Sequence, residues 1–418
     1  MKSIESLAQP EPQVFEDILV MPFTGLLGRG LSGQAHTGGP VWPSWSEPGT
    51  ERYWQVQNGE HRPADRKPQV RSPELHVEDK PCFWIGPLCP WHFGHQIRDF
   101  LSRLPLTLKT CEQSRLVFAV LEGHGPIHIE DAPEFFRGIL AWFGVPEERV
   151  IIVSRPTLFS ELRVLPQGEV AGDGSLPLQP DVQFLDYLSQ HGSRSHLRDA
   201  RAQRYKVTLV SRVRHRPLIL GEQVIDELFS KAGHHVFYPE RHSLQKQLEV
   251  YLNSELLVFT EGSALHGLQL LGRNLNQVLV IARRSGPDQF RFRIEPRAKR
   301  YDTINVVGDV IPVLGNINGD LALINFSDLL RDLHEFIPEL PTEVDAVHLA
   351  SMQKKHLFDA IGRHKAPPLR RTLATVFALV RSRPPGFGAA MILRLQRFFH
   401  GVAQGVIRRL ARSVRLRE

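Results

Sequence analysis

Only three of the 418 residues are cysteine, Cys82, Cys89 and Cys111. So sparse and odd a set, without paired metal-ligand spacing, implies neither a disulfide framework nor a zinc knuckle, and reads as buried small hydrophobes in a reducing compartment. Long apolar runs are missing too. None approaches the roughly 18 residues that span a bilayer, and the opening MKSIESLAQPEPQ lacks the basic start and apolar stretch of a secretory signal. The expected location is therefore cytoplasmic. No Gly-x-Ser-x-Gly elbow is present, so serine-hydrolase and Walker-type hydrolysis have no support. An Asp-x-Asp pair is also absent, which leaves a divalent ion bridging a diphosphate without an obvious ligand set; no metal and no cofactor are expected.

What is present is the composition of a folded chain. With 42% apolar and 23% charged residues, disordered and collagen-like classes are excluded. The net charge of +6 is unevenly placed. From Ile361 to Glu418 stand twelve Arg and one Lys against one Glu, a net of +12, so residues 1–360 carry −6. A chain whose folded part is negative would be repelled by a phosphate backbone, and nucleic acid is not an expected partner.

The chain reads as four parts. Residues 1–75 are rich in Pro, Gly and Trp with weak periodicity, an irregular N-terminal extension. Residues 76–200 alternate strand-like and helix-like stretches: CFWIG (82–86), a helical segment from His92 to Lys109, RLVFAVLEG (115–123), APEFFRGILAWFG (132–144) and RVIIVS (149–154). After the polar stretch 191–204, residues 201–340 repeat this grammar through KVTLVSR (206–212), HVFYPE (235–240), LLVFTE (256–261) and QVLVIAR (277–283). Short apolar runs between amphipathic helices imply parallel strands covered on both faces. The expected fold class is α/β, with two Rossmann-like doubly wound domains facing across a cleft. Residues 341–418 form a helical tail. Ile392, Leu395, Phe399, Val402, Val406, Leu410 and Val414 recur at helical spacing, opposite Arg394, Arg397, Arg408, Arg412 and Arg415. Such a helix lies on an anionic membrane surface, or docks on the protein with its arginines in solvent.

Candidate chemistry sits at strand ends. Gly262 and Ser263 follow LLVFTE and open the helix SALHGLQLL, a turn that presents backbone amides to a diphosphate. Glu261 is then placed to accept from ribose hydroxyls, or simply favours the helix dipole. Ser211 and Arg212 end another strand, where a guanidinium can hold a diphosphate bidentately. His95, Asp99 and Arg103, at i, i+4 and i+8, fall on one helical stripe: a base, its orienting partner and an anion contact, or a surface ion-pair ladder.

Two of these segments together resemble a known family. GHQIRDFLSRL (94–104) is similar to the Gly-His-x-x-x-Asp/Glu-x-x-x-Arg-Leu segment of glycosyltransferase family 61, including its bacterial capsular polysaccharide members, and Gly94, His95, Asp99, Arg103 and Leu104 match. Ser211, Arg212, Glu222, Gly233, Pro239, Glu240, Ser243, Gln247, Gly262 and Leu265 match the family's second segment in register. The resemblance covers about residues 80–285. Gly221 departs from the Asn that many members place before the glutamate, and Glu261-Gly262-Ser263 departs from His-Gly-Ala. The resemblance implies a GT-B enzyme that inverts the anomeric centre without a metal. It would move sugar from a nucleotide-sugar to a surface or capsular polysaccharide, or to its lipid-linked precursor. Asp99 or His95 would be the base, and Arg212 with the amides of Gly262 and Ser263 would hold the diphosphate. Glu261 would take ribose, Glu222 would orient Arg212 or the donor, and His266 would meet the diphosphate or sugar. The tail would hold the protein at the inner face of the membrane. Two alternatives stand beside this: a non-catalytic membrane-associated scaffold of polysaccharide synthesis, and a transferase of another nucleotide-activated group.

Overall fold

In a computed structural model, which describes residues 10–30, 36–46, 49–70, 75–172, 179–194, 203–214, 218–286, 288–311 and 321–363, the chain builds two main sheets. The first has nine strands. Its main ones are β1 (Gln13–Leu26), β2 (His36–Pro40), β3 (Cys82–Pro87), β4 (Leu116–Ala119), β5 (Val150–Val153) and β6 (Thr157–Val164), in the order β5-β4-β3-β6-β1-β2. Pairs β5/β4, β4/β3 and β3/β6 are parallel, whereas β1 runs antiparallel to both β6 and β2. This sheet is mixed rather than doubly wound throughout.

The irregular extension expected over residues 1–75 is where the structure differs. β1 is the longest strand of the molecule's described part and lies inside the first sheet, paired from Gln13↔Val164 to Val20↔Thr157. Its apolar residues do not alternate because Val20, Met21 and Phe23 are all buried, and the pairing with β2 shifts register between Met21 and Gly25, around Pro22. A proline-bearing, doubly covered strand has no period for a sequence reader to find.

The second sheet is wholly parallel. β7 (Tyr205–Val210), β8 (His235–Phe237), β9 (Ser254–Thr260), β10 (Leu275–Ile281) and β11 (Ala298–Ile304) lie in the order β8-β7-β9-β10-β11. Leu257, Phe259, Val278 and Val280 bury one face in a core that continues without a break into the first half, through Leu104, Phe118 and Phe136. Leu209, Val258, Leu279 and Ile281 bury the other face. There they meet α4 (Glu222–Lys231) and α6 (Phe326–Phe336), which follow α1 (Leu104–Thr110), α2 (Glu134–Trp142), α3 (Val182–Arg194) and α5 (Leu244–Leu252) along the chain. Each such side chain contributes about 1.5–3 kcal/mol when fully buried, so coverage on both faces is what holds the parallel strands. Helix α6 begins where the Asn325 side chain accepts from the amides of Ser327 and Asp328. The last described element, α7 (Ala346–Arg363), packs its His356 against the backbone of Gly221.

Cys82 and Cys89 are buried free thiols, and burial pushes both up to about 12. No helix among the described residues is long and apolar enough to cross a membrane. The basic amphipathic segment from Ile392 to Arg415 lies outside the described residues.

Candidate active site

In the second sheet the chain leaves β7 for β8 on one side and returns through α5 to β9 on the other. Open α/β sheets take ligands at such a reversal, beyond the carboxyl ends of the strands. The registers Val210↔Phe237, Val210↔Phe259 and Thr260↔Ile281 bring the ends of four strands to one rim. Ser211-Arg212, Pro239, Glu261-Gly262 and Arg283 follow directly on that rim. Against it opens a cavity of about 1000 Å³. Arg212, Gly262 and Ser263 line one wall, while Phe93, Phe135 and Trp142 of the first half line the other.

The residues on the rim have unequal roles. Arg212 donates from Nη1 to the Glu261 carbonyl at 3.0 Å, and a Cβ on Gly262 would stand 2.5 Å from that same Nη1. Only a residue without a side chain lets the guanidinium lie across the turn. Ser263 is exposed at the start of a nine-residue 3₁₀ helix, Ser263–Leu271. Three of the other expected donor contacts, Glu261, Glu222 and His266, are buried and do not line the cavity wall with Arg212. The Glu261 carboxylate accepts from the Arg283 amide at 2.9 Å and from the Arg284 guanidinium, fastening the end of β10 instead of facing a ribose. Glu222 is fully buried at the start of α4 and accepts from the amides of Leu218 and Ile219. Burial raises its pKa, against the opposing charge of Arg212. Ser211 lines the cavity, yet its hydroxyl is given to Asp226 at 3.0 Å. Gly221, which replaces the family's Asn, has φ 83° and ψ 10°. This left-handed geometry favours glycine, and a Cβ there would stand 2.8 Å from Leu349 Cδ1.

The first half carries the His95 segment at the carboxyl end of β3. The continuous helix expected from His92 to Lys109 is interrupted: Phe93–His95 is a helical turn, Gln96–Phe100 widens into a π-helix, and α1 starts only at Leu104 with Pro105 in its first turn. Within the opened turn His95 Nδ1 lies 2.5 Å from Asp99 Oδ2, and Arg98 Nε donates to Asp99 Oδ1 at 2.6 Å. Asp99 is buried, which alone would raise its pKa, but Arg98 and His95 outweigh burial and hold it well below the usual carboxylate range. An ionised Asp99 accepts, so His95 donates from Nδ1 and keeps Nε2 for other work. Burial and the neighbouring His95 hold His92 down at about 4.

Arg103 does not share this stripe. The π-helix and the following turn rotate it into the interior, where Nε donates to the Leu165 carbonyl at 2.9 Å and Nη2 reaches those of Thr50, Glu51 and Arg52. Its role is to clamp the N-terminal segment onto the first sheet, and burial lowers its pKa to about 10. The anion contact expected from i+8 spacing is thus corrected to a structural anchor.

The two segments meet at Gly94. A Cβ there would stand 2.6 Å from Cδ2 of His266 and 3.4 Å from Cβ of Ser263. His95 and Asp99 do not line the cavity themselves; they follow Phe93, which does, in the helical turn and the π-helix behind it. Residues 93–276 match the family Glycosyltransferase 61. No curated protein matches the chain. The matched span opens at Phe93 on the cavity wall and ends inside β10, so it holds His95, Asp99, Arg212 and the Gly262-Ser263 turn, and it supports a glycosyltransferase. Outside the Glycosyltransferase 61 match lie β1 to β3, Arg283 and Arg297.

Asp226 is a buried support of the rim that spacing did not reveal. It sits on α4 beneath the Ser211 turn, accepts from Ser211 Oγ and from Tyr238 Oη, both at 3.0 Å, and carries a pKa pushed up to about 7 by burial. The folded state therefore holds a proton that the unfolded state, with an ordinary aspartate near 3.9, gives up from about pH 4. Stability contributed by this group falls as pH rises from about 4 to 7. Asp226→Asn accepts the same two hydroxyls without ionising, so its melting temperature is expected to equal wild type near pH 4 and exceed it at pH 8. Melting curves that stay parallel across that range would contradict this assignment.

Proposed function

We propose that this protein is an inverting, metal-independent glycosyltransferase with GT-B character. Its donor is a nucleotide-sugar, and its acceptor is a surface or capsular polysaccharide or the lipid-linked precursor. The observation that carries the reading is the rim of the second sheet, where Arg212 and the Gly262-Ser263 turn face a donor-sized cavity inside a Glycosyltransferase 61 match. Cations and oriented backbone amides aimed at a departing diphosphate supply the electrostatic stabilisation that usually dominates such transfers.

In the proposed reaction an acceptor hydroxyl attacks the anomeric carbon from the face opposite the diphosphate. The new C–O bond forms as the bond to the β-phosphate oxygen breaks, and the electron pair leaves with the nucleoside diphosphate. His95 takes the acceptor proton on Nε2, since Asp99 holds Nδ1 protonated and is itself too acidic to be the base. Asp99 also stabilises the imidazolium that forms. Arg212 meets the negative charge gathering on the leaving group. The arginine-rich tail holds the protein at an anionic inner-membrane surface, from which the acceptor is supplied.

Thermal-shift screening of uridine, guanosine and cytidine diphosphates and their sugar conjugates tests the site. At 100 times its dissociation constant a true donor stabilises by about 2.7 kcal/mol. Arg212→Ala should weaken nucleoside-diphosphate binding about 10- to 100-fold, the scale of a hydrogen bond to a charged group. If calorimetry gave this variant wild-type affinity, the diphosphate would lie elsewhere. For the tail, truncation after residue 388 is expected to release the protein from anionic vesicles at physiological salt, and unchanged co-sedimentation would reject the anchor.

A further inference from the structure

Glu169 follows β6 and is buried together with Arg297, a residue of the second half that is entirely enclosed. Arg297 Nη2 donates to Glu169 Oε2 at 2.8 Å and Nη1 to Oε1 at 3.3 Å. The same Oε2 accepts from Gln269 Nε2 at 3.0 Å. A carboxylate paired with arginine only accepts, so Gln269 turns its amide NH2 toward Glu169 and its carbonyl away. That carbonyl Oε1 lies 2.7 Å from Nδ1 of His266. A carbonyl also only accepts; hence Nδ1 bears the proton. In a neutral imidazole this leaves Nε2 as a bare acceptor. The direction of each hydrogen bond follows from the one before it, starting at Arg297.

We propose that Glu169 and Gln269 are positioning residues that lock His266 in its Nδ1–H tautomer, so that Nε2 accepts a hydrogen bond from a hydroxyl of the sugar being transferred. A phosphate oxygen is itself an acceptor and has nothing to offer a bare Nε2, so His266 reads the sugar and leaves the diphosphate to Arg212. The position agrees: Nε2 is 3.3 Å from the point where a Cβ on Gly94 would stand, and Ser263 Cβ is 3.4 Å from that same point. The ring therefore packs on Gly94 where the His95 segment meets the phosphate turn, with Phe93, Ser263 and Ala264 beside it on the cavity wall. Resting on the transferase reading, this joint borders the space between Arg212 and His95 in which the transferred sugar lies. Burial holds His266 neutral, with a pKa lowered to about 3, over the whole working range.

The test begins without a ligand. Nitrogen-15 spectra of the full chain with labelled histidine should show His266 as the neutral Nδ1–H tautomer. In Glu169→Gln the Gln269 amide loses its fixed partner, and both tautomers should appear. Binding is then compared between uridine or guanosine diphosphate and the corresponding glucose, N-acetylglucosamine and mannose conjugates. His266→Asn should lose about tenfold in affinity for the preferred conjugate, the scale of one neutral hydrogen bond, and nothing for the free diphosphate. His266→Gln, whose longer side chain returns an acceptor near the Nε2 position, should recover most of that loss. An Nε2–H tautomer in the wild type overturns the relay even if sugar conjugates bind. Equal weakening of free diphosphate and conjugate by His266→Asn overturns the sugar contact. A locked Nδ1–H tautomer in a chain that binds no nucleotide overturns the sugar assignment together with the transferase reading.

Discussion

His95→Ala is expected to lower the rate of sugar transfer by about 10²- to 10⁴-fold while leaving nucleoside-diphosphate affinity near wild type, because general-base catalysis acts on the acceptor proton and not on the leaving group. Asp99→Asn should lose nearly as much. The amide keeps the shape but removes the charge that orders His95 and balances Arg98, its 2.6 Å partner. Single-turnover transfer and calorimetry on the same preparations separate the two effects. Should His95→Ala lose donor binding while remaining folded, the residue belongs to the donor site and the proposed base is wrong. Should Asp99→Asn retain full rate, Asp99 is only an ion-pair partner of Arg98.

The second large effect is on stability. Arg103→Met is expected to cost about 3–5 kcal/mol, since it strips one buried carbonyl of β6's flank and three of the 50–52 segment of their donor. Thermal or urea unfolding would register this as a marked fall in midpoint. Arg103→Lys should recover little, because a single ammonium cannot reach carbonyls on two sides that a planar fork spans. Nucleotide affinity of the folded fraction should be unchanged. A variant with wild-type stability and impaired binding would return Arg103 to the anion contact its spacing implies.

These three residues show how far the sequence could be read. His95 and Asp99 were legible because an i, i+4 pair stays adjacent in any helical turn, whether α or slightly widened. Arg103 was not, since the i+8 projection assumes a regular helix, and the π-helical turn at Gln96–Phe100 breaks that register. The parallel second sheet was readable from uninterrupted apolar runs, and its strand ends pointed to Arg212 and Gly262. Glu261 occupied the expected strand end, yet nothing local indicated that the Arg283 amide and Arg284 would claim its carboxylate. Arg98 was hidden beside Asp99, where residues adjacent in sequence are normally assumed to diverge. The pairing of Glu169 with Gln269 spans 100 residues and has no period or motif to announce it.

What the amino-acid order determined by itself was local: which runs bury both faces, where small residues allow a phosphate-sized turn, and that His95 and Asp99 share a side. Backbone sterics and apolar patterning act over a few residues, and their record is written in the chain. Only the tertiary structure decided which polar atoms were already claimed. Burial makes each unpaired donor or acceptor cost about 1–3 kcal/mol, so buried groups find partners wherever the fold supplies them, at any sequence distance. That rule turned Arg103, Glu222 and Glu261 inward, left Arg212 on the cavity wall, and joined Arg297 to His266 through Glu169 and Gln269.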